Sequence, residues 1–308
     1  MPVTRDDVIA AAECIRGRVH RTPTFTSRTL GEDIWLKAEL FQKTGSFKAR
    51  GVLNKLASLG AEEKARGVIG ISAGNHAQAL AWGAASEGID CLVVMWASAS
   101  EAKIAATRGY GASVDLDATD PTGAFERLDE LITETGRTLV HPFDDPVVLA
   151  GAGTVALELL EDAPDVETIV VPTGGGGLVA GIAAAAPDRR VLAVEPDRST
   201  AVHDALAAGK PVSVTPNSIA DGLSAPFAGG KALAVLQANA VESVLVTEAE
   251  IEEAFRFLYG RAKLAVEPAA AVGVAAVLTG KAGSGKLGVV VSGGNVVAET
   301  ASAILARR

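Results

Sequence analysis

Residues 169–187 carry no charge and approach the length needed to cross a membrane. Pro172 and four consecutive glycines, Gly174, Gly175, Gly176 and Gly177, interrupt them. The segment therefore reads as a strand, a glycine turn and a helix start, all in the protein interior. A strand with no polar face has to be covered on both sides. The same pattern recurs along the chain. Short apolar, β-branched runs at 34–39, 68–71, 91–95, 169–171, 191–194, 244–246 and 287–291 read as strands. Between them, 4–18, 46–58, 77–87, 100–108, 152–161, 178–186 and 248–264 have helical spacing or Ala-rich composition, with Thr4 as an N-cap before Asp6 and Asp7. This alternation predicts an α/β fold of mostly parallel sheet with helices on both faces. Residues 115–123 and 142–146 read as loops, and 68–117 as the material of a separate small lobe.

Charge and composition exclude several functions. The chain of 308 residues has a formal charge of −9, which gives no general attraction to nucleic acid or an anionic membrane. The N-terminus has early acidic residues and no long apolar core, unlike a secretory signal, so a soluble cytoplasmic protein is expected. Cys14 and Cys91 are too few for a disulfide framework or a cysteine zinc site and read as small buried hydrophobes. None of the four histidines lies in a HExxH arrangement. His20, His141 and His203 are read as local structure or surface.

Three strand–turn–helix junctions and one lysine carry possible chemistry. The turn at Gly174–Gly177 can gather backbone N–H groups at a helix N-terminus, an arrangement suited to phosphate; the plainer reading is a tight turn against the sheet. Lys48, in KTGSFKARG at 43–51, falls in the first turn of a predicted helix. Burial there would lower its pKa and make it an amine nucleophile, although most helix lysines are solvated. At 70–78, GISAGNHAQ can hold a carboxylate on backbone N–H groups, or Asn75 can cap its own helix. At 289–295, VVVSGGN places Ser292 at the carboxyl end of a strand, where open α/β sheets bind ligands.

Taken in order, TGSFKARG (44–51), SAGNHAQA (72–79), HPFDDP (141–146), PTGGGGLVAG (172–181), ADGL (220–223), EPAAAVGVAA (267–276) and VSGGN (291–295) resemble the fold-type II pyridoxal phosphate (PLP) enzymes, in the branch of serine/threonine dehydratases and serine racemases. The resemblance implies a two-lobed, tryptophan synthase β-like architecture. A large PLP-binding domain would comprise 1–60 and 145–308, and a small mobile domain 61–144. It implies PLP as cofactor, Lys48 as the Schiff-base lysine, and Phe47 and Gly222 on the two ring faces. Asn75 would meet the ring 3-hydroxyl, Gly174, Gly175, Gly176 and Gly177 the phosphate, and Ser292 the pyridine nitrogen. Ser72, Ala73, Gly74, Asn75 and His76 would take the carboxylate of a small amino-acid substrate. A homodimer or homotetramer is usual in similar enzymes.

Two departures from the branch matter. Racemases carry a serine where Ala73 stands, and an alanine methyl moves no proton. The divalent-cation site of racemase-like members would match Glu195 and the carbonyl of Ser199, but Ala201 replaces its aspartate. No metal is therefore assigned, and a cation stays in doubt. The expected activity is dehydration and deamination of L-threonine and/or L-serine to 2-oxobutyrate or pyruvate plus ammonia. The alternatives are another β-hydroxy amino acid (3-hydroxyaspartate or a hydroxyectoine-pathway intermediate), a serine racemase, or a carrier that holds a phosphate ligand without turnover.

Overall fold

The computed structural model describes residues 2–97 and 99–307, except for the side chains of Pro121 and Thr122. Its strands are β1 (Thr24–Ser27), β2 (Gly31–Ala38), β3 (Val68–Ile71), β4 (Cys91–Trp96), β5 (Ser113–Ala118), β6 (Thr138–Leu139), β7 (Thr168–Pro172), β8 (Arg190–Pro196), β9 (Glu242–Val246) and β10 (Leu287–Val291). They form a six-stranded sheet in the order β1-β2-β10-β7-β8-β9 and a four-stranded sheet in the order β5-β4-β3-β6. All neighbours are parallel except β1 and β2. The central strands β7 and β10 are buried at every residue, as expected for a sheet covered on both faces.

Several sequence readings change: the helix expected over 4–18 ends at Cys14, and the one expected over 152–161 begins at Pro146. The expected loop at 115–123 is strand through Ala118 and then a helix, Pro121–Thr135. β5 is an edge strand, so its open side accommodates Asp115 and Asp117, and Arg127 of that helix pairs with Asp115 at 3.1 Å. The helix expected over 248–264 ends at Phe257; a π turn, Leu258–Ala262, follows, and Lys263 takes a left-handed conformation with φ 61°. Cys14 is exposed, because its helix buries only Val8 and Ala11. Cys91 is buried, and both thiols are free.

The helix Pro146–Asp162 organises the interior. It crosses the helix Lys48–Ala57 at Gly51 and Gly151: a Cβ on Gly151 would lie 2.7 Å from the Arg50 carbonyl oxygen. On another side it crosses Gly177–Ala185 through Gly153 and Gly181, where any Cβ would collide with the opposing backbone. The lysine-bearing helix and the helix after the glycine turn thus share one spacer at backbone contact.

A buried ion cluster adds to this. Arg50 grips Glu39 through two bonds of 2.8 Å and Glu158 through bonds of 2.7 and 2.9 Å. Lys37, fully buried in β2, reaches Glu158 and the Thr22 carbonyl, each at 2.8 Å. Two cations and two carboxylates compensate one another. Removing one partner leaves an uncompensated buried charge, a loss of about 3–5 kcal/mol. Arg50→Met is therefore predicted to lower unfolding stability by about that amount in urea titration; a loss under about 1 kcal/mol would show that the cluster does not fasten the lysine helix.

Candidate active site

Loops at the carboxyl ends of β10, β7, β3 and β4 open into one cavity of about 470 Å³ between the two sheets. Ligands occupy this end of parallel strands in open α/β sheets. The cavity lining includes Phe47, Lys48, Ser72, Ala73, Gly74, Asn75 and His76. It also includes Gly174, Gly175, Gly176, Gly177, Gly222 and Ser292. The dispersed sequence segments thus meet at one place. Glu195 and Ser199 do not line it. Glu195 accepts from the Val202 and His203 amides at the start of the helix Ala201–Ala208, and Ser199 donates to the Leu223 carbonyl.

Lys48 is the first residue of its helix. The chain before it is tied to β10: Phe47 N–H donates to the Ser292 carbonyl at 3.2 Å, and Ser46 bridges Gly293. Lys48 Nζ donates to the Pro142 carbonyl at 2.6 Å and lies 5.1 Å from the Phe47 ring centre. It has no carboxylate within salt-bridge distance among the described residues. Loss of hydration lowers its pKa to about 8, against a weaker opposing pull from Glu267.

The HPFDDP segment accounts for this arrangement residue by residue. Burial keeps His141 neutral, with its pKa lowered to about 4, so its Nδ1 can accept from the Phe143 and Asp144 amides. That turn presents the Pro142 carbonyl to Lys48. Asp144 caps the helix Gly230–Ala238 through the amides of 230–232, and Asp145 caps Pro146–Asp162. The Phe143 ring lies against the glycine turn.

That contact gives a reason for the glycines. Of the four, only Gly176 has a positive φ, 92°. Gly175 has no room for a Cβ because the Phe143 ring occupies it; a Cβ on Gly174 would lie 2.9 Å from Leu223. The following helix makes its first bond from Ala180 N–H to the Gly176 carbonyl. The amides of 174–179, all lining the cavity, have no acceptor among the described residues.

Asn75 does not cap its own helix. Its Nδ2 donates to Glu267 Oε1 at 2.7 Å, and its Oδ1 accepts from Asn295 Nδ2 at 2.7 Å. Asn295 also donates to the Thr44 carbonyl at 2.8 Å. Glu267 was not singled out from the sequence, although it lies in the cavity wall; burial raises its carboxyl to about 7. The available signal was a lone carboxylate opening the otherwise uncharged run 267–278. His76 Nε2 contacts the Val140 carbonyl at 2.8 Å, which can only accept, so Nε2 carries the proton. Burial first, and Lys48 second, lower the His76 pKa to about 3, so the ring is neutral.

These features fit PLP. Six uncommitted amides at a helix N-terminus suit a phosphate, a desolvated amine suits an aldehyde, and the buried Ser292 sits beyond them at the end of β10. Comparison with known proteins agrees. Residues 15–293 match the family described as pyridoxal-phosphate dependent enzyme. An L-threonine ammonia-lyase of Thermotoga maritima is 41% identical over 96% of this chain and 76% of its own length. A catabolic L-threonine dehydratase of Escherichia coli is 38% identical, covering 96% and 94%. The maize serine racemase structure superposes with a TM-score of 0.92 at 35% identity, covering 97% and 96%. The serine racemase of Dictyostelium discoideum superposes at 0.89 with 36% identity, covering 96% and 99%. The chain belongs to the pyridoxal-phosphate dependent enzymes.

Proposed function

We propose that this chain is an ammonia-lyase that dehydrates and deaminates L-threonine and/or L-serine, giving 2-oxobutyrate or pyruvate and ammonia. The observation that carries this reading over racemisation is the cavity wall at Ala73. Lys48 supplies one amine base, while residue 73 ends in a methyl that can neither give nor take a proton. The names of the Thermotoga maritima and Escherichia coli relatives support the same reaction. The reading extends to a cytoplasmic homodimer or homotetramer acting on a free amino acid. Among the described residues no helix is long and apolar enough to cross a membrane. The reading also takes the four-stranded sheet, with 61–144 around it, as a small mobile domain against 1–60 and 145–308.

In this reading Lys48 Nζ would hold the cofactor covalently. The amides of Gly174–Gly177 would hold its phosphate, Ser292 Oγ would bond its pyridine nitrogen, and Phe47 and Gly222 would flank its ring. Asn75 keeps one Nδ2 hydrogen free of Glu267 for the ring 3-hydroxyl. Bound there, PLP supplies an electron sink for the pair left when the substrate Cα loses its proton. The backbone turn Ser72–His76 takes the α-carboxylate and orients that Cα–H bond. Lys48 Nζ, when free and neutral, receives the proton; its pKa near 8 puts it close to the working range of a base. His76, neutral at this pH, places no second positive charge beside the amine. Loss of the β-hydroxyl as water leaves an enamine, and its hydrolysis gives the oxo acid and ammonia.

A panel of β-hydroxy amino acids scored for oxo acid and for D-isomer tests the reading. We expect 2-oxobutyrate from L-threonine or pyruvate from L-serine, without comparable D-serine. Accumulation of D-serine, or oxo acid only from another substrate, would contradict it. Lys48→Ala should lower turnover by about 10²–10⁴-fold or more. The pKa of Lys48 gives a further expectation. Below about pH 8 the amine is protonated and unreactive, so PLP uptake by cofactor-free protein should rise through pH 8 and then level. A rise continuing toward 10.5, the ordinary lysine value, would show that the amine is not desolvated.

A further inference from the structure

The cavity contains a pair of opposite charges that the proposed chemistry does not use. Lys103, on the helix Glu101–Gly109 beside the four-stranded sheet, donates to the Asp221 carboxylate on the short turn Asp221–Leu223. Both residues line the cavity. The Asp221 carboxylate has no other hydrogen bond among the described residues, and the two side chains are 57% and 22% exposed for Asp221 and Lys103 respectively. An ion pair so accessible adds little to stability. Both charges nevertheless act inside the site: Asp221 pushes the Glu267 carboxyl up, and Lys103 pulls it down.

Lys48, Lys103, Asp221 and Glu267 are the charged side chains in the described lining. The cofactor engages Lys48, Asn75 bonds Glu267, and His76 is neutral. A substrate with its α-carboxylate on the Ser72–His76 turn therefore has one remaining cation to meet a second carboxylate, Lys103, and Asp221 already holds it. We propose that Asp221 is a specificity-determining residue: by pairing Lys103 it keeps the cavity neutral toward the substrate side chain and turns away β-hydroxy amino acids that carry a second carboxylate. This rests on the ammonia-lyase reading and names how that site selects among its substrates. Juxtaposed like charges discriminate strongly between ligands, more than such a pair stabilises the fold.

Asp221→Asn keeps the shape and removes the charge, freeing Lys103. In holoenzyme, the ratio of kcat/KM for 3-hydroxyaspartate to that for threonine should rise roughly tenfold, mostly through KM. Inhibition by L-aspartate, which lacks the leaving hydroxyl, should tighten by a similar factor, while inhibition by L-alanine should not. Adding Lys103→Met to D221N should abolish both gains. An equal change for both substrates would mean that the pair only clasps the two sides of the cleft, and an unchanged ratio would mean that it does not face the substrate; either result overturns the proposal. Should the wild type turn over neither substrate, the ammonia-lyase reading fails instead. The L-aspartate and L-alanine arm, followed by the cofactor's visible spectrum, still decides the role of Asp221.

Discussion

The distance between an amine and an anion cradle governs this site, and the helix Pro146–Asp162 sets it. The helix touches the lysine helix at Gly51 and Gly151, and the glycine-turn helix at Gly153 and Gly181, with no side chain between the backbones. Such contacts have almost no slack, because interiors packed at this density transmit shifts rather than absorb them. The buried Arg50–Glu39–Glu158–Lys37 cluster then fixes the lysine helix against rotation and ties it to β2. Lys48 begins that helix, so its backbone position is determined from behind. Its side chain alone reaches forward, to the Pro142 carbonyl.

The front of the site keeps strong ion pairing away from the amine. A carboxylate within salt-bridge distance of Lys48 would hold it protonated; its hydrogen-bond partner is a carbonyl, the His76 imidazole is neutral, and Glu267 exerts a pull weaker than the effect of burial. His141 and His76 are both desolvated, and each uses its neutral form structurally, His141 as an acceptor and His76 as a donor. Glu267 accepts from Asn75, which Asn295 holds from the other side. The chain from Thr44 through Asn295 and Asn75 to Glu267 thus joins the segment before the lysine to the far wall of the cavity.

Much of this was legible from the residues. β-Branched runs without polar alternation mark the buried strands; the glycine turn, Asn75 and Ser292 stand at their carboxyl ends, and Lys48 stands at a helix start. Other features were hidden for physical reasons. β5 carries aspartates because an edge strand has an open side, so its composition resembles a loop. The helices at 201–208, 230–238 and 298–306 are short and Ala-rich with scattered polar residues, and 268–278 is apolar on every face, so none of them shows strong helical periodicity. The value of Glu267 lies in a partner 192 positions away, and no local spacing reveals that contact. The four glycines read as a phosphate turn or a tight turn, and no local pattern reveals that the Phe143 ring fills the space a Cβ of Gly175 would need.

Borohydride reduction of the holoenzyme, followed by peptide mapping, tests the assignment of the amine most directly. Reduction fixes an aldehyde cofactor on whichever lysine holds it. The account predicts one phosphopyridoxyl-modified peptide, carrying the label at Lys48. A label on a neighbouring lysine such as Lys43 or Lys55, or cofactor that washes away unreduced, would contradict it.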